Sequence, residues 1–186
     1  MAQHAKLSAS AAHRWMVCPG SVRLGKGLPD TTSEAAAAGT VAHDLAAWAL
    51  ATHNGALLND EIGRVADQDG YDITIDAEMV DAVRLYVDTL AADKQPGDVD
   101  WVEVDLTTAL QRIDESTGGT ADHVRFRPAA KHLFVTDFKY GAGVLVNPEG
   151  NKQLRMYALG ALLDAEGRGA LVPTVTVRVV QPRVAH

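Results

Sequence analysis

The spacing of apolar positions changes character near residue 98, from a helical period upstream to a period of two downstream. In "KLSASAAHRWMVCPGS" either Ser8 or Ser10 is placed to cap a short helical run that Pro19 and Gly20 break. After a loop containing "KGLPDTTS", the stretch "SEAAAAGTVAHDLAAWALATHNG" predicts a long Ala-rich helix, interrupted at Gly39 and stopped by Asn54 and Gly55. "IDAEMVDAVRLYVDTLAADK" predicts an amphipathic helix with Met79, Val83, Tyr86, Val87 and Leu90 on one face and Pro96-Gly97 as its stop. "VDWVEVDL" then alternates like a half-buried strand, and "GGTADHVRFRP" is a second strand entered through glycines. "KHLFVTDFKY" is apolar on both faces, as a central strand is; "NKQLRMYALGALLDAEG" predicts a helix and "TVTVRVVQPR" a fourth strand. No repeat, low-complexity tract or linker interrupts this order. The expectation is one α/β domain over residues 1–186, mainly helical through 98, with a sheet core over 99–183.

A chain of 186 residues with 47% hydrophobic content can bury a core of its own. No apolar run reaches the ~20 residues that span a bilayer, and the N-terminus lacks a signal-peptide core, so a cytoplasmic protein without a membrane partner is expected. Cys18 is the only cysteine. That excludes an internal disulfide, a thiolate zinc site and a four-cysteine iron–sulfur cluster within one chain, leaving histidine and carboxylates for any metal. The net charge of −7 hides a partition. Residues 1–29 carry four bases and no acid, residues 30–120 carry 19 acids against four bases, and residues 121–155 carry six bases against three acids. Phosphate binding follows local charge, so the total does not exclude nucleic acid.

The chemistry concentrates in "VTDFKYG", residues 135–141. Asp137 and Lys139 alternate along a strand and so project to one side, Lys139 about 7 Å further on. They make either a surface ion pair or a metal ligand beside a phosphate-directed lysine. Asp122 opens the preceding strand. If the two strands form an antiparallel hairpin through residues 128–131, the carboxylates of Asp122 and Asp137 converge. Carboxylates held together repel unless a cation separates them, and hard ions such as Mg²⁺ take oxygen ligands. Trp101, Glu103 and Asp105 share a strand face, which makes Glu103 either a further acid of the site or part of an exposed polar side. Gln153 and Tyr157 share a helix face at i and i+4.

The ordered set "GTVAH", "GGTADHV", "VTDFKYG" and "QLRMY", preceded by "SASAAHRWMVCPGS", resembles the RecB-like branch of the PD-(D/E)XK nuclease superfamily, especially its phage-associated proteins. The resemblance runs from about residue 8 to Arg183. It implies a restriction-endonuclease-like core, a central mixed four-stranded sheet flanked by helices with an N-terminal helical elaboration. It also implies a divalent-metal-dependent deoxyribonuclease, an exonuclease of phage or prophage DNA recombination, repair or processing. In that frame His43 is the helix-borne metal ligand, and Asp122 and Asp137 are the carboxylate ligands. The backbone carbonyl of Phe138 is a further ligand and Lys139 the catalytic lysine. Gln153 and Tyr157 match the family's Gln-x-x-x-Tyr motif and, with Arg125 and Arg155, serve DNA contact or site support. Mg²⁺ or Mn²⁺ is the implied cofactor, without an iron–sulfur cluster, since only Cys18 of the four cysteines some relatives use is present. The implied partners are single- or double-stranded DNA and a phage recombination protein.

Two departures stand beside these matches. Ala47 occupies a position where many phage relatives carry an acid, and the chain stops soon after "VVQPR", as a fragment or minimal version would. Aromatic content of 5% and no basic recognition helix point to sequence-nonspecific binding. The alternative from another class is a nuclease fold that binds nucleic acid or protein without cutting.

Overall fold

The computed structural model describes residues 5–28 and 31–184. In chain order the elements are β1 (Leu7–Ser8), α1 (Ala12–Trp15), α2 (Gly20–Leu24), α3 (Glu34–Thr52), β2 (Val65–Gln68), β3 (Tyr71–Thr74), α4 (Ala77–Ala92) and β4 (Val99–Asp105). They continue with α5 (Thr107–Leu110), β5 (Thr117–Gly118), β6 (Thr120–Arg127), β7 (His132–Phe138), α6 (Lys152–Gly167) and β8 (Thr174–Val180). The expected α/β class holds. Strands β4, β6, β7 and β8 form, in that order, a mixed four-stranded sheet with helices beside it. Of the loop "KGLPDTTS", Pro29 and Asp30 lie outside the described residues. No helix among the described residues is long and apolar enough to cross a membrane.

The chain forms two compact units that do not follow the division at residue 98. Residues 5–28, 95–137 and 147–178 make the first, and residues 31–94, 138–146 and 179–184 the second. The second unit is built on α3 and α4. Ser33 caps α3, its side chain accepting from the Ala36 N–H at 3.2 Å, and Asp76 caps α4 by accepting from the Met79 N–H at 2.8 Å. The apolar faces of these helices, with Val41, Leu45, Val83 and Tyr86, bury around Phe138. Helix α3 runs unbroken past Gly39, because a helical glycine lowers stability by only about 1 kcal/mol and the turns on either side are alanine-rich. A hairpin, β2–β3, turns at Asp69-Gly70, both with positive φ, a turn signal that the acidic composition of this segment masks.

In the first unit β6 is an inner strand, antiparallel to β4 on one edge and on the other to β7, itself the second inner strand, as its apolar faces predict. Because β4 pairs Asp100 with Arg125, two alternating acids face two alternating bases across the ladder. Arg125 Nε donates to Asp100 at 2.6 Å, and Arg127 donates through Nε and Nη2 to both oxygens of Asp98. Both arginines and His123 lie on one sheet face, where Arg125 and His123 are each 1% exposed. There the Phe134 ring lies beneath Arg127 and Arg178, and Arg178 Nε donates to Thr136 Oγ1 at 3.1 Å. The Arg127 fork holds the Asp98 carboxyl below its ordinary range.

His123, 3.0 Å from Asp100, is pushed down to about 4, because burial disfavours the imidazolium more than the carboxylate favours it. The neutral ring is therefore the folded form. The unfolded chain binds the proton more readily between about pH 6.5 and about pH 4, so stability present at neutral pH is lost as pH falls through that window. The expected loss is on the order of 3 kcal/mol at the lower limit. Urea denaturation at neutral pH and near pH 4.5 measures it, and His123→Gln flattens the dependence. Equal slopes in the two proteins would remove His123 as the source.

Candidate functional site

The pairing of β6 fixes the site. Its pairing with β7 runs as far as His123 opposite Thr136, and one further step along the same register puts Asp122 opposite Asp137. Across the other edge, Val102 faces His123 and Val104 faces Ala121, which puts Glu103 opposite Asp122. Residues opposed in an antiparallel ladder project to the same side. Glu103, Asp122 and Asp137 thus form a row across three adjacent strands, on the face opposite His123 and Arg125. Carboxylate oxygens of Glu103 and Asp122 come within 4.8 Å of each other. Glu103 is exposed, Asp122 half-buried and Asp137 2% exposed, so the row runs from solvent into the unit.

Glu103 has φ 50°, left-handed backbone in the middle of a strand. A non-glycine residue in that region costs about 1 kcal/mol or more and persists where the surroundings impose it. It sits at the member of the row nearest solvent, and its side chain is the one whose placement in the site was open from sequence.

Helix α6 covers this face. Its N-cap, Asn151, accepts from the Leu154 N–H at 3.1 Å, and Leu154, Met156, Tyr157 and Ala161 are buried. Gln153 Nε2 donates to the Tyr157 hydroxyl at 2.9 Å, which joins the two residues of the i, i+4 pair. Tyr157 is held far above the ordinary range of a phenol: burial is the main cause, opposed by the Gln153 bond and reinforced by Asp122, Asp137 and Glu103. The three carboxylates that add to this shift are the members of the row. The hydroxyl stays protonated, and with Gln153 as donor to its oxygen its own proton is directed elsewhere.

Asp137 is followed in β7 by Phe138, with which the second unit begins. The Phe138 ring is stacked on Tyr86 at 4.8 Å, and His43 of α3 lies 5.2 Å from it at a tilt of 51°. His43 is half-buried. Lys139, also half-buried, donates its backbone N–H to the Val180 carbonyl at 2.9 Å.

The two arginines differ. Arg155 is exposed on α6, as a surface contact requires. Arg125 is buried, ion-paired with Asp100, and on the face away from the acidic row. Its expected role in DNA contact does not fit that placement; its charge is spent inside the protein. The signal was legible: acids at 98 and 100 and bases at 125 and 127 alternate with the same period, as cross-strand partners do.

The glycines of "GGTADH" serve close approach. The first, Gly118, belongs to β5, which pairs in parallel with β1 and so draws the N-terminal segment alongside. A Cβ on Gly119 would come 2.8 Å from Ala9 Cβ and 3.1 Å from Tyr157 Cε1. Trp15 Nε1 ties the same segment down by donating to the Ser8 carbonyl at 2.8 Å. "SASAAHRW" is therefore a packing partner of the site's entry strand, a role that its helix-capping pattern did not disclose.

A family model described as a protein of unknown function, DUF2800, matches residues 4–186. No solved structure matches the chain.

Gly119→Ala should lower stability by about 1–3 kcal/mol through overpacking against Ala9 and the Tyr157 ring. Gly141→Ala, with nothing within 4 Å of its Cβ, should change it by less than about 0.5 kcal/mol. Thermal melts of the two variants give the comparison. Equal melting temperatures would show that the N-terminal segment yields to the added methyl.

Proposed function

The chain belongs to the DUF2800 family, and we propose that it is a divalent-metal-dependent deoxyribonuclease, acting on DNA without sequence preference and from strand ends. The observation that carries this reading is the row of Glu103, Asp122 and Asp137 on one sheet face. Three carboxyl groups side by side are a costly arrangement unless a cation separates them, and the donor set suits Mg²⁺ or Mn²⁺, which prefer oxygen and accept imidazole. His43, Glu103 and Asp122 each offer a ligand atom of that kind. Asp137 extends the set, and the Phe138 carbonyl is its backbone member. When bound, the ion lowers the pKa of a water and neutralises charge on the phosphate.

The remaining chemistry belongs to side chains. Hydrolysis adds water oxygen to phosphorus and breaks the bond to the leaving strand's oxygen, so negative charge builds on the phosphoryl oxygens. The Lys139 ammonium, two residues beyond Asp137, stabilises that charge. Tyr157 donates its proton toward the carboxylate row, with Gln153 fixing its hydroxyl, and so holds the ligands in place. Arg155, exposed on the helix that covers the row, meets the DNA backbone. A phage recombination protein is the partner class that the sequence resemblance adds. A module that only bound nucleic acid would gain nothing from adjacent carboxylates, which repel phosphate.

Wild type should degrade end-labelled single- or double-stranded DNA in Mn²⁺ and lose activity on chelation. Asp137→Ala and Lys139→Ala should each reduce the rate by about 100-fold or more. Equal activity in all three proteins, or activity that survives chelation, would sink the assignment.

A further inference from the structure

A cleft of about 680 Å³ lies within the first unit, beside the acidic row. Thr120 lines it, on the same face of β6 as Asp122 and about 7 Å along the strand. Tyr157 lines it as well, and Asp105, paired with Thr120, forms its rim on β4. Seven ångströms is about the spacing of successive phosphates in an extended strand. A phosphate at the carboxylate row would therefore deliver the next sugar and base into this cleft, whose volume lies in the range of small-ligand pockets.

The lining decides what part of a nucleotide fits. Ser8, Ser10 and Ser116 bring neutral hydroxyls to the lining, groups that suit sugar hydroxyls and base edges. Among the described residues the charged lining groups are Asp105 and Glu115 against Lys6. Asp105 accepts from the Thr107 N–H at 2.9 Å, and its bonds to Thr107, side chain first and then backbone, hold the carboxyl below its ordinary range. A second phosphate entering here would meet the acidic side chains of Asp105 and Glu115, whereas a nucleoside ending in a free hydroxyl would bring no like charge to them. An internal nucleotide carries a phosphate on each side; a terminal one need carry only the phosphate that sits at the row.

We infer that this cleft receives the terminal nucleoside of a nucleic-acid strand, selecting a hydroxyl end over a phosphate end. The inference rests on the nuclease reading above and makes the strand terminus the feature recognised.

The test is equilibrium binding by the full chain in Ca²⁺, which replaces the catalytic ion and avoids turnover. The probes are short, internally labelled oligodeoxynucleotides, identical except for a hydroxyl or a phosphate at the 5′ or the 3′ end. The expected result is roughly fivefold tighter binding of the hydroxyl form at one of the two ends, the size of a single like-charge contact in water. The doubly substituted protein Asp105→Asn, Glu115→Gln should bind both forms alike by accepting the phosphate. Equal affinity of wild type for hydroxyl and phosphate at both ends, or preference for phosphate, overturns the inference even if Asp137→Ala abolishes cleavage and the nuclease reading stands. Should the double variant not fold, the wild-type comparison decides alone. Failure to bind any of the four probes removes the nucleic-acid reading together with this one.

Discussion

Strand β6 is hydrogen-bonded along both edges, and its register with β4 and β7 is the constraint on which the rest of the first unit depends. Period-two alternation makes the two faces of the strand chemically separate. One face carries Asp122, Val124 and Phe126; the other carries His123, Arg125 and Arg127. A slip of one residue would exchange them, placing arginines beside the helix α6 and the acid among buried cations. With the observed register, Asp122 has an acid opposite it on each side, and Arg125 has Asp100.

The two faces bear unlike costs. On the ionic face, Arg125 and Arg127 are taken out of water and are tolerated because Asp100 and Asp98 supply counter-charges, with a neutral His123 beside Asp100. Removing one partner would leave a buried charge uncompensated, which makes the pairing a device for holding register more than a source of net stability. On the acidic face the charges are alike and gather beneath α6, where Tyr157 is the neutral group that meets them. The strain at Glu103 lies on this face as well. A sequence that gathers three acids in one row and accepts left-handed backbone at one of them, Glu103, retains a cost that packing alone would not require.

Phe138 links this arrangement to the chain beyond it. It is stacked on Tyr86 and packed against His43 in the core of the second unit. The backbone at a buried aromatic ring has little freedom, so Lys139 after it leaves in a set direction. The residue between the two charges in "DFK" is thus a packing anchor, and its identity matters for what its neighbours can do.

Local pattern was sufficient for much of this. Helices α3, α4 and α6 and strands β4, β6, β7 and β8 follow from periodicity and stop signals, because burial of one face imposes its period on the residues themselves. The convergence of Asp122 and Asp137 was legible from a hairpin with charges at opposite ends. The short elements β1, α5 and β5 were not, because two to four residues carry no period. Nor was the role of Glu103 legible: whether an acid on an exposed strand face joins a site depends on which residue lies across the ladder, and register is a long-range property. For Arg125 the matching alternation of acids at 98 and 100 with bases at 125 and 127 was a local signal, but its burial follows from register with an acid 25 positions away in the chain. Sequence by itself determined most of the longer elements, that one cysteine cannot form an internal disulfide, and the acids available to a metal. Only the tertiary structure decided which charges meet, because strand pairing joins residues whose separation along the chain leaves no local trace.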